Sequence, residues 1–249
     1  MPSSPGDLTR DVTAGARRVG DMTDLDGAVV LVAGASGGLG VRVAAMLEDE
    51  GAVVVRAARR PDSLSGPGAY LADLRDPSGG AALVRSALDE HGRLDGVVVA
   101  AGVVAFGAAK DLDDDTLDEL VATNALGPIR LLRDAHAALA QSAVAGRKPF
   151  VVTISGVVSE APTVGMAAYS ASKAALAAFV SAAGREYRRD GIRVLDARPG
   201  HTDTGLATRA VAGQAPSFGT ALDPDAVAER IVRAIVDGEK DLPGSAFSS

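Results

Sequence analysis

Short apolar segments alternate with longer amphipathic segments along most of the chain. The apolar segments are rich in Val, Leu, Ile and Ala without alternating polar residues, which is the pattern of strands buried on both faces of a sheet. The predicted strands are Ala28–Ala33, Ala52–Ala57, Gly68–Leu71, Asp95–Ala100, Phe150–Ser155 and Ile192–Ala197. The predicted helices are Leu39–Glu50, Pro77–His91, Asp113–Gln141, Met166–Arg189 and Pro224–Asp237. This alternation predicts a single doubly wound α/β domain, in which a parallel sheet lies between two helical layers.

The composition is that of a globular domain. The 249 residues are 47% apolar and 23% charged, which supplies enough apolar side chains for a sizeable core. Asp and Glu number 32 against 25 for Lys and Arg, so no nucleic-acid partner is expected. The chain has no cysteine and only three histidines, far apart in sequence, so we expect neither disulfides nor a metal site.

The sequence carries no signal for a membrane or for export. The longest apolar stretch, Val97–Ala109, is interrupted by glycines and is too short to span a bilayer. Residues 1–24 lack the apolar core of a signal peptide, and we interpret them as a flexible extension, with an oligomerisation arm as the alternative. Residues 25–249 then form the folded domain, and we expect a cytoplasmic protein.

A glycine-rich loop follows the first predicted strand and leads directly into the first helix. Its residues are Gly34, Ala35, Ser36, Gly37, Gly38, Leu39 and Gly40. Glycines allow a tight turn and the close approach of a diphosphate, while the helix N-terminus offers free N–H groups and a positive dipole end. The loop lacks the Gly-Lys-Ser/Thr ending of an ATP or GTP loop. We therefore predict a dinucleotide site at this edge of the sheet, outside the carboxyl ends of the strands.

The spacing Gly-x-x-x-Gly-x-Gly in this loop, together with a downstream Tyr-x-x-x-Lys at Tyr169 and Lys173, resembles the short-chain dehydrogenase/reductase family, in its compact form. The resemblance covers about Asp26 to Asp237. It implies a single-domain Rossmann-like fold, a nicotinamide dinucleotide, and hydride transfer at a carbon that bears oxygen.

Tyr169 and Lys173 are the candidate catalytic pair. Four residues apart on a helix, they lie on one face, and a nearby ammonium lowers the phenol pKa from about 10. The resemblance implies that Tyr169 donates a proton in reduction and accepts one in oxidation, and that Lys173 also binds the nicotinamide ribose. It implies that Asn124 holds a water linked to the lysine, with satisfaction of a local backbone group as the alternative.

The substrate-orienting serine of the family is missing from its usual position, thirteen residues before the tyrosine, where this chain has Gly156. Ser155 could serve through a shift of the loop. Ser159, Thr202 or His201 could supply the hydrogen bond instead, or the site could lack this donor. Losing one such donor typically lowers the rate by about 10²–10³.

The end of the second strand bears on the choice between the two dinucleotides. A carboxylate there would bind the 2′-hydroxyl of NAD and repel a 2′-phosphate, but the chain has Ala58 followed by Arg59 and Arg60. Arg59, assisted by Arg60 or Ser36, can form charge-assisted bonds to a phosphate. NADP(H) is therefore favoured over NAD(H), unless these arginines are only solvated loop charges.

Further cofactor contacts follow from the resemblance. It places Asp73, with Leu74 beside it, near the adenine, although Asp73 could instead cap a turn or helix. The small pair Ala101 and Gly102 lets the cofactor pass, and the segment with Pro199, Gly200, Thr202 and Thr204 holds the nicotinamide carboxamide. Residues 205–223 are the predicted substrate lid, whose composition indicates a small uncharged substrate.

The function that these features predict is an NADP(H)-dependent oxidoreductase that interconverts a secondary alcohol and a ketone or aldehyde. The alternative is a catalytically weak or inactive NADP-binding protein with a sensor or partner-dependent role, which the glycine at position 156 favours. The resemblance also implies a homodimer or homotetramer built on the two longest predicted helices.

Overall fold

A computed structural model of the chain describes residues 22–60, 64 and 69–247. Its centre is a six-stranded parallel sheet in the order β3-β2-β1-β4-β5-β6. The strands are β1 (Val29–Ala33), β2 (Val53–Ala58), β3 (Ala69–Leu71), β4 (Gly96–Val99), β5 (Phe150–Ile154) and β6 (Arg193–Ala197). The predicted doubly wound sheet is confirmed, and Gly68 of the predicted third strand lies outside the described residues.

Helices cover both faces of the sheet. They are α1 (Gly38–Asp49), α2 (Gly79–His91), α3 (Asp114–Val121), α4 (Gly127–Val144), α5 (Ala167–Tyr187) and α6 (Pro224–Val236). Successive residues of β1 point to opposite cores. Val30 and Val32 pack with α1 and α6, while Val29 and Leu31 pack with α2, α4 and α5. This alternation explains why β1 is apolar at every position.

The predicted helix Asp113–Gln141 is interrupted, and this is a correction. A π-helical turn, Ala122–Leu126, separates α3 from α4. Pro128 stands at the start of α4, where it has no N–H to donate and its ring excludes the carbonyl four residues earlier. The chain therefore widens to the next hydrogen-bonding register for one turn.

The extension predicted at residues 1–24 includes three residues, 22–24, that the structure describes. Residues 1–21 lie outside the described residues, but Thr23 is buried. Its N–H donates to the carbonyl of Val236, and its hydroxyl accepts from Arg193. Residues 22–24 therefore belong to the folded domain.

The β6 edge of the sheet carries one further parallel bridge, between Ala197 and Leu242. This contact holds the carboxyl-terminal segment beside the end of β6. Across the described part of the chain, helices long and apolar enough to cross a membrane are absent.

Candidate active site

A cavity of about 750 Å³ lies at the carboxyl ends of the strands, and it includes the point where strand order reverses between β1 and β4. Of the predicted site residues, Gly40 and Asn124 do not line it. Those that do are Gly34, Ser36, Gly37, Gly38, Leu39, Arg59, Arg60, Asp73, Leu74, Ala101, Gly102, Ser155, Tyr169, Lys173, Pro199, Gly200, Thr202 and Thr204. The fold therefore brings residues from the ends of all six strands to one cavity.

The glycine-rich loop forms one wall. The N–H of Gly37 donates to the carbonyl of Gly34, and α1 begins at Gly38 with no side chain capping its first turn. Its free N–H groups can therefore serve an anion. Gly40 shapes the loop from behind, because a Cβ there would lie 2.1 Å from the carbonyl oxygen of Gly34.

Arginines gather at one end of the cavity, beyond β2 and β3. We call this the arginine end, and it comprises Arg59, Arg60, Asp73, Arg75 and Glu119. Arg75 Nη2 lies 2.6 Å from Asp73 Oδ2, and its other η-nitrogen contacts Glu119. Arg59 Nη1 lies 3.6 Å from Glu119 Oε1.

The carboxylate of Asp73 also accepts from the backbone N–H of Arg75, as in the turn-capping alternative. These contacts with Arg75, led by the side-chain hydrogen bond, lower the pKa of Asp73. Glu119 and Arg75 had not been predicted from the sequence. An arginine two residues after Asp73 and a glutamate on α3 carried no pattern that placed them together.

The other end, which we call the tyrosine end, contains Tyr169, Lys173 and the segment above them. Both side chains come from the first half of α5 and line the cavity. Burial raises the pKa of Tyr169 to about 12, which corrects the expectation that Lys173 would bring it below 10. Burial lowers the pKa of Lys173 to about 8, although the charge of Asp196 opposes this. Lys173 Nζ donates to the carbonyl of Ile154 at 2.8 Å. At neutral pH the phenol and the ammonium are both protonated.

The hydroxyl of Ser155 points into the sheet. Ser155 is fully buried, and its Oγ donates to Asp196 Oδ2 at 2.6 Å. Ser159 Oγ lies 3.0 Å from the same hydroxyl and donates to the carbonyl of Gly156 at 2.7 Å. Gly156 has φ +75°, a conformation that side chains rarely adopt. Both candidate serines thus have partners within the protein.

Asp196 is another residue that the sequence interpretation missed. It is a buried carboxylate on β6, and it also accepts from Thr153 Oγ1 at 2.6 Å. A carboxylate between apolar residues near the end of a predicted strand was the available signal, because a buried charge requires partners. Its partners turned out to include the serine expected to serve the substrate.

Asn124 lies behind the cavity, on the π-helical turn, and is fully buried. Its Oδ1 accepts from the N–H of Val103, and its Nδ2 donates to the carbonyl of Val103 and to Ser172 Oγ. These contacts correspond to the backbone-satisfying alternative for this residue. The expected water remains a prediction.

The predicted lid lies over the tyrosine end as a roof. Val211 donates to the carbonyl of Val104 at 2.8 Å, and Ala105 bridges Ala212. Phe218 faces Phe106, with ring centroids 5.9 Å apart. His201 also lines the cavity, and its ring stacks on that of Phe218 with centroids 4.3 Å apart. The roof encloses a mostly apolar chamber.

The cavity fits a dinucleotide. It is large enough, its glycine loop leaves a cradle that side chains would fill, and cations gather at one end. Thr123, a lining residue that the sequence interpretation missed, has a buried Oγ1 without a hydrogen-bond partner within the described residues. Buried hydroxyls are normally bonded, so this atom is available to a ligand.

Comparison with known proteins places the chain in a family. Residues 28–215 match the family model for short chain dehydrogenases. A putative ketoacyl reductase of the monensin polyketide synthase from Streptomyces virginiae is 32% identical over 212 residues, covering 80% of each chain. Oxidoreductase UcpA from Escherichia coli is 29% identical over 225 residues, 86% of this chain and 82% of UcpA.

The fold has solved counterparts. The structure of the 3-ketoacyl-(acyl-carrier-protein) reductase from Brucella melitensis complexed with NADH has a TM-score of 0.79 at 23% identity, covering 90% of this chain and 100% of that one. Together with the Rossmann-like sheet and the family match, this establishes that the chain belongs to the short chain dehydrogenase family of NAD(P)-dependent oxidoreductases.

Proposed function

We propose that the protein is an NADP(H)-dependent carbonyl reductase that interconverts a secondary alcohol and a ketone or aldehyde. The observation that carries this proposal is that Tyr169 and Lys173 line one end of a cavity whose other end holds Arg59 and Arg60. An acid–base pair and a phosphate-binding end thus share one continuous site.

The preference for NADP(H) is supported by charge. β2 ends at Ala58, so that position carries no carboxylate to bind a 2′-hydroxyl or repel a 2′-phosphate. Arg59 lies 3.6 Å from Glu119, which is a loose ion pair and leaves the guanidinium able to turn toward a phosphate. Arg75 holds Glu119 more closely and so reduces its competition for Arg59.

The chain's own groups would handle the proton. Nicotinamide supplies a hydride to the carbonyl carbon when the reduced cofactor is bound. The Tyr169 hydroxyl, protonated at neutral pH, can donate a proton to the carbonyl oxygen. Lys173, a cation below pH about 8, stabilises the phenolate that remains. Burial keeps the Tyr169 phenol protonated at neutral pH but also makes it a weaker acid, so proton donation depends on the Lys173 cation.

A small uncharged substrate is supported by the chamber under the roof. Its apolar walls include Val104, Phe106, Met166, Leu206 and Phe218. The name of the Streptomyces virginiae relative, a putative ketoacyl reductase, is consistent with a ketone as the group reduced.

A catalytically weak NADP-binding protein is the second candidate. It is favoured by the hydroxyls of Ser155 and Ser159, which already bond Asp196 and Gly156. If neither turns toward the substrate, Tyr169 alone must position the carbonyl. The loss of one donor of this kind lowers a rate by about 10²–10³, which slows a reductase without abolishing it.

NADPH consumption by the purified protein, measured against a panel of ketones, aldehydes and quinones, separates the two candidates. A Tyr169→Phe variant is the matched control, because it removes only the hydroxyl. Turnover that is lost in the control supports the reductase. Tight NADPH binding without turnover that depends on Tyr169 supports the second candidate.

Assembly as a homodimer or homotetramer and a cytoplasmic location also stay predictions. Light scattering of the purified protein at several concentrations tests the first.

A further inference from the structure

The roof, residues 205–223, carries a cationic side chain that the proposed mechanism does not use. Arg209 ends a short 3₁₀ turn, Ala207–Arg209, and lines the same cavity. Its Nη2 donates to the carbonyl of Thr204 at 3.3 Å. Within the described part of the chain this guanidinium makes no ion pair, whereas Arg59 and Arg75 at the other end are paired with Glu119.

Thr204 connects Arg209 to the glycine-rich loop. A Cβ on Gly38 would lie 2.5 Å from Thr204 Cβ, so the two backbones are in close contact where α1 begins. A Cβ on Gly205 would lie 2.8 Å from Arg209 Nη1. The guanidinium therefore rests on the Thr204–Gly205 turn, and this turn packs against the start of α1.

The charge balance of the loop gives this cation a role. A dinucleotide diphosphate carries two negative charges, but residues 34–40 contain no cationic side chain. The first cation of α1, Arg42, binds Asp225 at 2.7 Å. The helix dipole supplies about half an elementary charge at the loop. Among the described residues that line this part of the cavity, Arg209 is a cation without an ion pair.

We propose that Arg209 is a further cofactor-binding residue, which grips the cofactor diphosphate from above and thereby holds the roof closed. The inference rests on the proposed use of a dinucleotide, but not on its 2′-phosphate. Arg209 lies two residues before Val211, whose N–H binds the carbonyl of Val104. A diphosphate held by Arg209 thus fixes the chain segment that leads to Phe218 and completes the chamber before the substrate enters.

Binding measured by calorimetry tests this with NADPH, NADH and adenosine 2′-monophosphate as probes. We expect Arg209→Gln to raise the dissociation constants of NADPH and NADH by the same factor, about tenfold, because both cofactors carry the diphosphate. Arg209→Lys should recover part of the affinity, and the binding of adenosine 2′-monophosphate should be unchanged. Arg85→Gln, which removes an exposed charge on α2 outside the cavity, is the matched control.

Proteolysis supplies a readout independent of affinity. Saturating NADPH should slow chymotrypsin cleavage after Phe218 in the wild type, and should slow it less in Arg209→Gln even when that variant is equally saturated. Equal NADPH affinity in wild type and Arg209→Gln would overturn the inference, as would a change confined to the KM of the ketone, which would assign Arg209 to the substrate. Failure of the wild type to bind either dinucleotide would instead refute the proposed function.

Discussion

The arginine end of the cavity keeps its charges near the surface, whereas the tyrosine end buries them. Arg75 and Glu119 are partly exposed and hold each other in an ion-pair network. Lys173 is buried and Tyr169 is partly buried, and the loss of water around them shifts both pKa values so as to favour the neutral form of each group. One cavity therefore contains a hydrated region and a desolvated one.

The difference assigns different tasks to the two ends. Exposed charges attract a phosphate over some distance, are weakened by salt and contribute to binding in a graded way. Buried groups interact strongly at short range, which suits proton transfer, but they reduce the stability of the fold. Variants at the arginine end should therefore change cofactor affinity, and variants at the tyrosine end should change the chemical step.

Lys173→Met should give the largest change in rate, and it alters only the tyrosine end. We expect kcat for ketone reduction to fall by at least about 10², because the cation that stabilises the Tyr169 phenolate is lost. Burial lowers the pKa of Lys173 to about 8, below its value in the unfolded chain. At pH 7 the charged lysine is therefore less stable in the folded protein than in the unfolded one, and its charge reduces the free energy of unfolding. The free energy of unfolding at pH 7 should therefore rise by about 1–2 kcal/mol in the variant.

Single-turnover kinetics and urea denaturation of the cofactor-free protein measure these two effects. Lys240→Met removes an exposed lysine and is the control, for which neither quantity should change. A variant that lost both activity and stability would show that Lys173 is mainly structural.

Arg59→Ala should weaken cofactor binding at the arginine end and leave the tyrosine end unchanged. We expect the dissociation constant of NADPH to rise about 10- to 50-fold while that of NADH changes less than twofold, since only NADPH carries the 2′-phosphate. The kcat at saturating NADPH should be unchanged. Fluorescence titration at two salt concentrations measures this, and the NADPH effect should shrink at the higher one. Equal weakening of both cofactors would remove the assignment of Arg59 to the 2′-phosphate.

The two ends also differed in what the sequence could predict. Most of the glycine loop and both arginines after β2 line the cavity, as expected for residues that follow directly from a strand end in a parallel sheet, and their contacts with a cofactor stay predictions. The interruption at Ala122–Leu126 was not predicted, since one proline can end a helix, kink it or widen a turn. Which of these three results occurs depends on how the side chains pack around Asn124, and the local sequence pattern carries no information on that packing.

At the tyrosine end, the direction of the Ser155 hydroxyl was harder to predict than the position of the residue. Ser155 was placed in the correct loop, but whether its hydroxyl faces the substrate or the sheet depends on Asp196, 41 residues away. The ion pairs of Glu119 likewise join separate elements. Sequence spacing predicts which strand end a residue occupies, but it does not predict which distant partner its side chain will choose.

The pH dependence of the chemical step should sharpen the comparison. The reduction rate should stay level up to about pH 8 and then fall up to tenfold per pH unit, as Lys173 loses its proton. Tyr169 remains protonated throughout, since its pKa lies near 12. The charge of Asp196 raises the pKa of Lys173, so Asp196→Asn should move the break to lower pH. The dissociation constant of adenosine 2′-monophosphate should show no break at that pH, since this probe reaches only the arginine end and Lys173 lies at the other end of the cavity.

Ser155→Ala should have the smallest effect on the rate, and it tests the serine directly. If the hydroxyl serves Asp196, its removal costs about 1 kcal/mol of unfolding free energy and changes kcat less than threefold. Ser159→Ala is the matched control, because it removes the neighbouring hydroxyl and leaves the bond to Asp196 intact. A fall of 10²–10³ in kcat for Ser155→Ala alone would show that the hydroxyl turns to the carbonyl when substrate binds, since that is about the contribution of one preorganised donor. Similar falls in both variants would point to the serine pair acting together, with Ser159 holding Ser155 in the direction that catalysis requires.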